Sequence, residues 1–275
     1  MLGGAIMQLV VNADDLGMDK NKNMAVMQSL TEHYCTQASI VVNCGDATQE
    51  AVRMIKKNDL GDKIGLHINL TVGEPLTNDI KACKLYCKNG NFIYDPWLIS
   101  TKKLIKVLWP RHIKAIRIEL EAQIKAYLDC GFELRHIDSH NWVHLLLPIW
   151  LALRPLLKKY EIKSVRGIRP GMIQKGRWKY SLYYRTFNKV FLSSQEILLP
   201  YASNIYEFTT VDKNFYKNIE CTEVFTHPIL LEGELIDNSR SSKKYPKETM
   251  LGNMNKIACH NKVDYNELHE RRGNR

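Results

Sequence analysis

QLVVNADDLG, residues 8–17, opens as a β-branched apolar run and breaks into two adjacent aspartates before a glycine. A run this short and this apolar fits a strand buried on both faces, and the sudden polarity of Ala13, Asp14, Asp15 and Gly17 marks its end in a functional loop. The next stretch has a different period. Across residues 19–33, Met24, Met27 and Leu30 recur at three-residue steps, a helix-like stripe, and Asp19 is placed to cap it. Residues 38–43 then read as a second strand, 46–57 as a second helix with Ala47, Ala51, Met54 and Ile55 inward, and 63–71 as a third strand. Alternation of this kind predicts an α/β protein with a mostly parallel sheet, open or closed into a barrel.

Pro75, the turn-forming Asn89-Gly90-Asn91 and Pro96 break that rhythm, so residues 74–110 read as an insertion or lid. It resumes with a helix over 112–130 that presents Ile113, Ile116, Leu120, Ile124, Tyr127 and Leu128 on one face and stops at Gly131. A strand over 134–138, a helix over 148–160, a strand over 163–168 and a late strand over 222–226 follow. The whole is expected to form a single domain, residues 1–265, with a charged tail over 266–275.

Bulk properties narrow the classes of function. Hydrophobic residues at 45% and charged residues at 25% exclude long disorder, and 275 residues suffice for one sizeable core. The net charge of +10 biases the surface towards anionic partners: phospholipid, nucleic acid or acidic glycan. No helix-turn-helix, RNA-recognition or finger pattern is present, so nucleic acid is not expected as a partner. Seven scattered cysteines do not make a secreted disulfide framework, and Cys83 and Cys87 lack the second pair that a structural zinc site needs. Acidic residues come too early for a signal peptide, and the longest apolar stretch, 142–157, is broken by His144, Pro148 and Arg154. A cytoplasmic location is expected. Residues 102–117 and 175–189 mix Lys and Arg with aromatic and apolar side chains. Two readings stay open for them, a solvated face with buried stems or peripheral docking on an anionic membrane.

Parallel α/β folds gather working side chains at the C-terminal ends of strands. Here Asp14 with Asp15, then His67, then Asp138 with His140, then Arg166, then His227 stand at or near five such ends. Each has an ordinary reading alone: a turn, a half-buried histidine, a surface charge. Burying so many ionisable groups together is costly unless they share a metal or pair with one another. HIDSHNWVH, residues 136–144, leaves the choice open, because His136, His140 and His144 fit one helix face while His136, Asp138 and His140 fit one strand face. Imidazole and carboxylate ligands suit a divalent cation. Such an ion acidifies bound water, and a carboxylate outside its coordination sphere can take the proton.

The ordered set VNADDLG, GLHINLT, HIDSHNWVH, VR and EVFTHP, spread over about residues 7–227, resembles the YdjC-like family of carbohydrate deacetylases. The resemblance implies a distorted TIM-like (β/α) barrel. It implies a metal-dependent hydrolase that removes acetyl groups from N-acetylated sugars, as oligosaccharides or as lipid-linked glycans. By motif, Asp15, His67 and His140 would bind Mg2+ or Zn2+, Asp14 would be the base, Arg166 would hold Asp14 ionised, and His227 would protonate the leaving amine. Glu223 is a weaker neighbour. The chain departs from the family pattern after DSH, where Trp142 replaces the first histidine of a His-x-His element and His144 keeps the second. Hydrolysis of another ester or phosphoester, and an inactive glycan-binding relative, remain as alternatives, and a homodimer is left open.

Overall fold

The computed structural model describes residues 7–93, 108–169, 178–186, 197–210, 216, 219, 221–239 and 248–273. In chain order its elements are β1 (Gln8–Leu16), α1 (Lys20–Thr31), β2 (Gln37–Ile40), α2 (Asp46–Lys57), β3 (Ile64–Ile68), α3 (Asn78–Lys81), and the hairpin β4 (Cys87–Lys88) and β5 (Asn91–Phe92). Next come α4 (Pro110–Asp129), β6 (His136–Ser139), α5 (Leu147–Lys159), β7 (Ser164–Ile168), α6 (Trp178–Thr186), β8 (Ile197–Ser203), α7 (Ile205–Thr210) and β9 (Cys221–Thr226). The chain closes with β10 (Pro228–Leu231), β11 (Glu234–Asp237), β12 (Glu248–Thr249), α8 (Met250–Lys256), β13 (Asn261–Lys262) and α9 (Tyr265–Gly273).

Seven parallel strands close into a barrel in the order β1-β2-β3-β6-β7-β8-β9, with β9 returning to β1 from Gln8↔Cys221 through Ala13↔Thr226. The expected distorted β/α barrel is therefore present. β13 adds a short parallel pairing beside Gln8 and Leu9, at the start of β1.

The two faces of the barrel strands carry different chemistry. Leu9, Val11, Ala13, Ile40, Leu66, Ile137, Val165 and Val224 join one apolar core with Val26, Ile55, Leu120 and Leu153 of the surrounding helices. Full burial of each large aliphatic side chain stabilises the fold by roughly 1.5–3 kcal/mol. The alternate positions Asn12, Asp14, Ser39, His67, Asp138, Arg166 and Glu223 are equally buried but polar. They face the barrel interior, since Asn12 Nδ2 on β1 reaches Asp138 Oδ2 on the non-adjacent strand β6 at 3.3 Å. Gly65 makes room there: a Cβ at this position would come within 3.2 Å of the His136 ring.

Local signals account for most boundaries. Asp19 caps α1 by accepting from the Lys22 amide at 2.9 Å. Met27 and Leu30 are buried as expected, but Met24 is 45% exposed, because three-residue steps drift away from a period of 3.6. α2 covers residues 46–57, as the pattern predicted. Gly131 ends the long α4 turn at φ 84°, where a side chain would be strained. β1 runs further than its apolar segment suggested, and its pairing with β2 continues past an irregularity to Leu16↔Ile40. Asp14 and Asp15 are thus strand residues, not loop residues, and Asp15 itself takes φ 70°. The run expected as a charged tail is helical through Gly273, and its Leu268 is buried.

Residues 94–107 of the expected insertion lie outside the described residues, as do 175–177 and 187–189 of the second basic-aromatic segment, whose middle forms α6. Of the first segment, Trp109 is 44% exposed with the Arg111 guanidinium 4.7 Å above its ring. Among the described residues no helix is long and apolar enough to cross a membrane.

Candidate metal centre

β1, β3 and the turn after β6 bring Asp15, His67 and His140 together, with one candidate ligand atom from each lying within 4.8 Å of the others. Asp15 Oδ1 is 2.8 Å from His140 Nδ1 and 3.3 Å from His67 Nε2. Its other oxygen accepts from Lys22 Nζ at 3.1 Å. Burial pushes the Asp15 carboxyl up, but the hydrogen bond from His140 and the close approach of His67 and His227 outweigh it and hold the group well below the usual carboxylate range.

His67 is oriented from behind. The β3–β6 register pairs it directly with Asp138, and its Nδ1 lies 2.7 Å from Asp138 Oδ1. Nε2 faces Asp15 but is not aligned for a hydrogen bond, and this fully buried atom has no hydrogen-bond partner among the described residues. A buried imidazole tied to a carboxylate through one nitrogen, with the other nitrogen unpartnered and aimed at a carboxylate and a second imidazole, is the arrangement a divalent metal ligand requires. The donor set of two imidazoles and one carboxylate fits Mg2+ or Zn2+ chemistry, with positions left for water. Burial disfavours the charged His67 ring, yet Asp138 and Asp15 push its pKa up to about 10 in the metal-free site.

Beneath the three candidate ligands lies a layer of paired charges. Arg166 on β7 holds Asp14 in a fork, NH1 to Oδ2 at 2.7 Å and NH2 to Oδ1 at 2.6 Å. The same guanidinium reaches Glu223 from Nε at 2.7 Å and Asp138 Oδ2 from NH2 at 2.5 Å. Burial alone would favour loss of the Arg166 charge, but three facing carboxylates hold its pKa well above the ordinary value. Asp138 moves the other way: the charges of Arg166 and His67 outweigh burial and keep it ionised far below the usual range. Glu223 is pushed up to about 7 by burial, against the pull of Arg166.

His227, just beyond β9, places Nε2 3.8 Å from Asp14 Oδ2. Its Nδ1 lies 3.1 Å from Ser239 Oγ, which donates to Asp237 Oδ1 at 2.6 Å. Because the Ser239 proton goes to Asp237, Ser239 accepts from His227 Nδ1–H, and this fixes the ring orientation. All six residues singled out from sequence, Asp14, Asp15, His67, His140, Arg166 and His227, therefore sit at one end of the barrel.

The other members of HIDSHNWVH have supporting roles. His144 is fully buried, between Ser139 Oγ at 2.5 Å and the Arg166 carbonyl at 3.1 Å, so it braces β7. Burial and the Arg166 charge bring its pKa down to about 4. Asn141 and Trp142 both take left-handed backbone, φ 55° and 60°, conformations that are strained without glycine. The half-buried Trp142 ring packs 5.3 Å from Phe225 and 5.5 Å from the Arg166 guanidinium.

Sequence reasoning missed Asn12, Ser39, Asp237 and Ser239. Asn12 Nδ2 donates to Asp14 Oδ1 at 2.7 Å, and Ser39 Oγ donates to Asp138 Oδ2 at 2.9 Å. Asn12 had a visible signal, a polar residue on the face it shares with Asp14 one strand repeat away.

The sequence model of a family described as YdjC-like protein matches residues 8–265. A carbohydrate deacetylase of Brevibacillus brevis is 34% identical over 255 residues, 89% of this chain and 90% of its own length. A carbohydrate deacetylase of Clostridium beijerinckii is 26% identical over 245 residues, 88% of each chain. A chitooligosaccharide deacetylase of Klebsiella pneumoniae is 29% identical over 239 residues, 84% of this chain and 85% of its own. A crystal structure from Enterococcus faecalis, described as a candidate cellobiose-phosphate cleavage protein, shares the fold: TM-score 0.65 at 16% identity, covering 96% of this chain and 99% of that one.

Proposed function

Since the chain belongs to the YdjC-like protein family, we propose that it is a carbohydrate deacetylase, a metal-dependent hydrolase that splits the N-acetyl amide of a sugar into acetate and free amine. The observation that carries the reading is the convergence of Asp15, His67 and His140 around one point, with Asp14 beside them. A divalent cation such as Mg2+ or Zn2+, held by those three residues, would supply the Lewis acidity that acidifies water and polarises the amide carbonyl.

The remaining chemistry belongs to the chain. Asp14 Oδ1 already accepts from Asn12 and Arg166, whereas among the described residues Oδ2 accepts from Arg166 alone, and it faces His227. Oδ2 is thus the oxygen with room for the proton of the attacking water. Arg166, bonded to both oxygens of Asp14, holds the plane of that carboxylate fixed. His227, oriented through Ser239, delivers a proton from Nε2 to the leaving nitrogen. Lys22 occupies Asp15 Oδ2, which leaves Oδ1 turned to the two imidazoles. Trp142 and Phe225 form an apolar wall beside Arg166 that limits water.

The test is acetate release from a panel of free chitooligosaccharides and lipid-linked N-acetylated sugars, with chelated and metal-restored protein and phosphate release measured in parallel. Asp14→Asn is expected to lower turnover by roughly 10²–10⁴-fold while retaining metal. His67→Ala and His140→Ala are expected to lose both metal and activity. Phosphate release without acetate release would turn the reading towards phosphoester hydrolysis, and metal-restored protein that releases no acetate from any member of the panel would overturn it.

A further inference from the structure

Two hydrogen-bond chains end on the Asp14 carboxylate, and both begin at Tyr265, the first residue of α9. The first uses the phenol. Tyr265 OH donates to Glu223 Oε2 at 2.9 Å, Glu223 Oε1 accepts from Arg166 Nε at 2.7 Å, and the other two nitrogens of Arg166 grip Asp14. The second uses the backbone: the Tyr265 amide donates to Gln37 Oε1 at 3.2 Å, Gln37 Nε2 to Asn12 Oδ1 at 3.1 Å, and Asn12 Nδ2 to Asp14 Oδ1 at 2.7 Å.

Tyr265 is well placed to act as a fixed point. It is buried, its ring stacks on His136 with centroids 4.1 Å apart, and it belongs to a small apolar cluster with Val10, Cys221, Val263 and Leu268 that closes the barrel at the opposite end from the candidate metal centre. Glu223 depends on it. The only hydrogen bonds to the Glu223 carboxylate among the described residues come from Arg166 and Tyr265 OH, since the nearby His136 Nε2 stays 3.9 Å away and makes none. The guanidinium is shared among Asp14, Asp138 and Glu223, so a carboxylate free to swing at its Nε edge would turn the fork that Asp14 needs.

We propose that Tyr265 is a positioning residue for Asp14, holding the base from the far end of the barrel through Glu223 and Arg166 on one side and through Gln37 and Asn12 on the other. The inference rests on the deacetylase reading for the role of Asp14 and on the hydrogen bonds for its geometry. It brings the segment after β13 into the catalytic apparatus.

Tyr265→Phe tests it, because the substitution keeps the ring on His136 and the amide on Gln37 and removes only the hydroxyl. With N,N'-diacetylchitobiose and metal-loaded enzyme, kcat should fall about tenfold or more, with KM and bound metal unchanged. A second readout needs no substrate: NMR titration of His227, whose Nε2 faces Asp14 Oδ2 at 3.8 Å, should give a shifted midpoint in the variant. An unchanged midpoint, or an unchanged kcat when the unsubstituted enzyme is active, overturns the inference and leaves Tyr265 as packing. If the unsubstituted enzyme releases no acetate, the deacetylase reading fails separately, and the His227 titration still decides whether Tyr265 governs the position of Asp14.

Discussion

On β1, Leu9, Val11 and Ala13 pack outward against helices, while Asn12 and Asp14 turn inward and bond to β6 and β7. β6 repeats the split with Ile137 outside and Asp138 inside. Barrels of this class usually fill their interior with branched apolar side chains. Here the outer layer is held by hydrophobic burial, and the upper interior by mutual compensation of charges around Arg166. The two layers should therefore fail differently: an outer change should cost stability and spare the chemistry, and an inner change should cost both.

The largest effect is expected from Arg166→Met, which leaves Asp14, Asp138 and Glu223 facing one another with no cation between them. It should destabilise the protein by roughly 3–5 kcal/mol in urea unfolding and abolish turnover. Leu66→Ala, on the outer face, should cost about 3 kcal/mol while the folded fraction keeps its metal stoichiometry and its kcat/KM. An Arg166→Met variant as stable as the unsubstituted protein would break the comparison, because the interior would then not depend on charge compensation.

A smaller effect is expected from pH. The His67 ring of the metal-free protein is protonated below about 10, and Nε2 must give up that proton to bind a cation. Asp15, held below the usual carboxylate range, adds no competing proton near neutrality. Metal affinity should therefore strengthen as pH rises from 6 to 9, by up to about tenfold per unit, or roughly 1.4 kcal/mol. Calorimetry in buffers of different ionisation enthalpy should detect about one proton released per ion at pH 8. Affinity that does not vary with pH would mean that His67 Nε2 is not a ligand.

Where one side-chain pattern dominates, the fold was legible in the sequence. The alternation of apolar runs with helical stripes carried α2 and the parallel sheet but left it open or closed, its closure being what the family resemblance implied, and Asp19 announced the start of α1. β8 was hidden, because Pro200 inside ILLPYAS counts against a strand. α9 was hidden because YNELHERRG has no apolar stripe, although Tyr265 and Leu268 are buried. In the site, titratable residues at strand ends stood out by type and position, whereas Ser39, Gln37, Asp237 and Ser239 are ordinary until the strands place them. His144 was left between site and packing by its spacing, and the bond from its ring to the Arg166 carbonyl puts it in the framework.

The most direct test of the metal centre is the location of a bound ion. Crystals of zinc-loaded protein, measured at the zinc absorption edge, are expected to give one strong anomalous peak at roughly 2.0–2.2 Å from Asp15, His67 and His140, with Asp14 alongside but not bonded. A peak instead within either of the two other groups of potential ligands found among the described residues, Asp14 with His67 and Asp138 or His136 with Asp138 and Glu223, or no peak at Asp15, would contradict the assignment of the site.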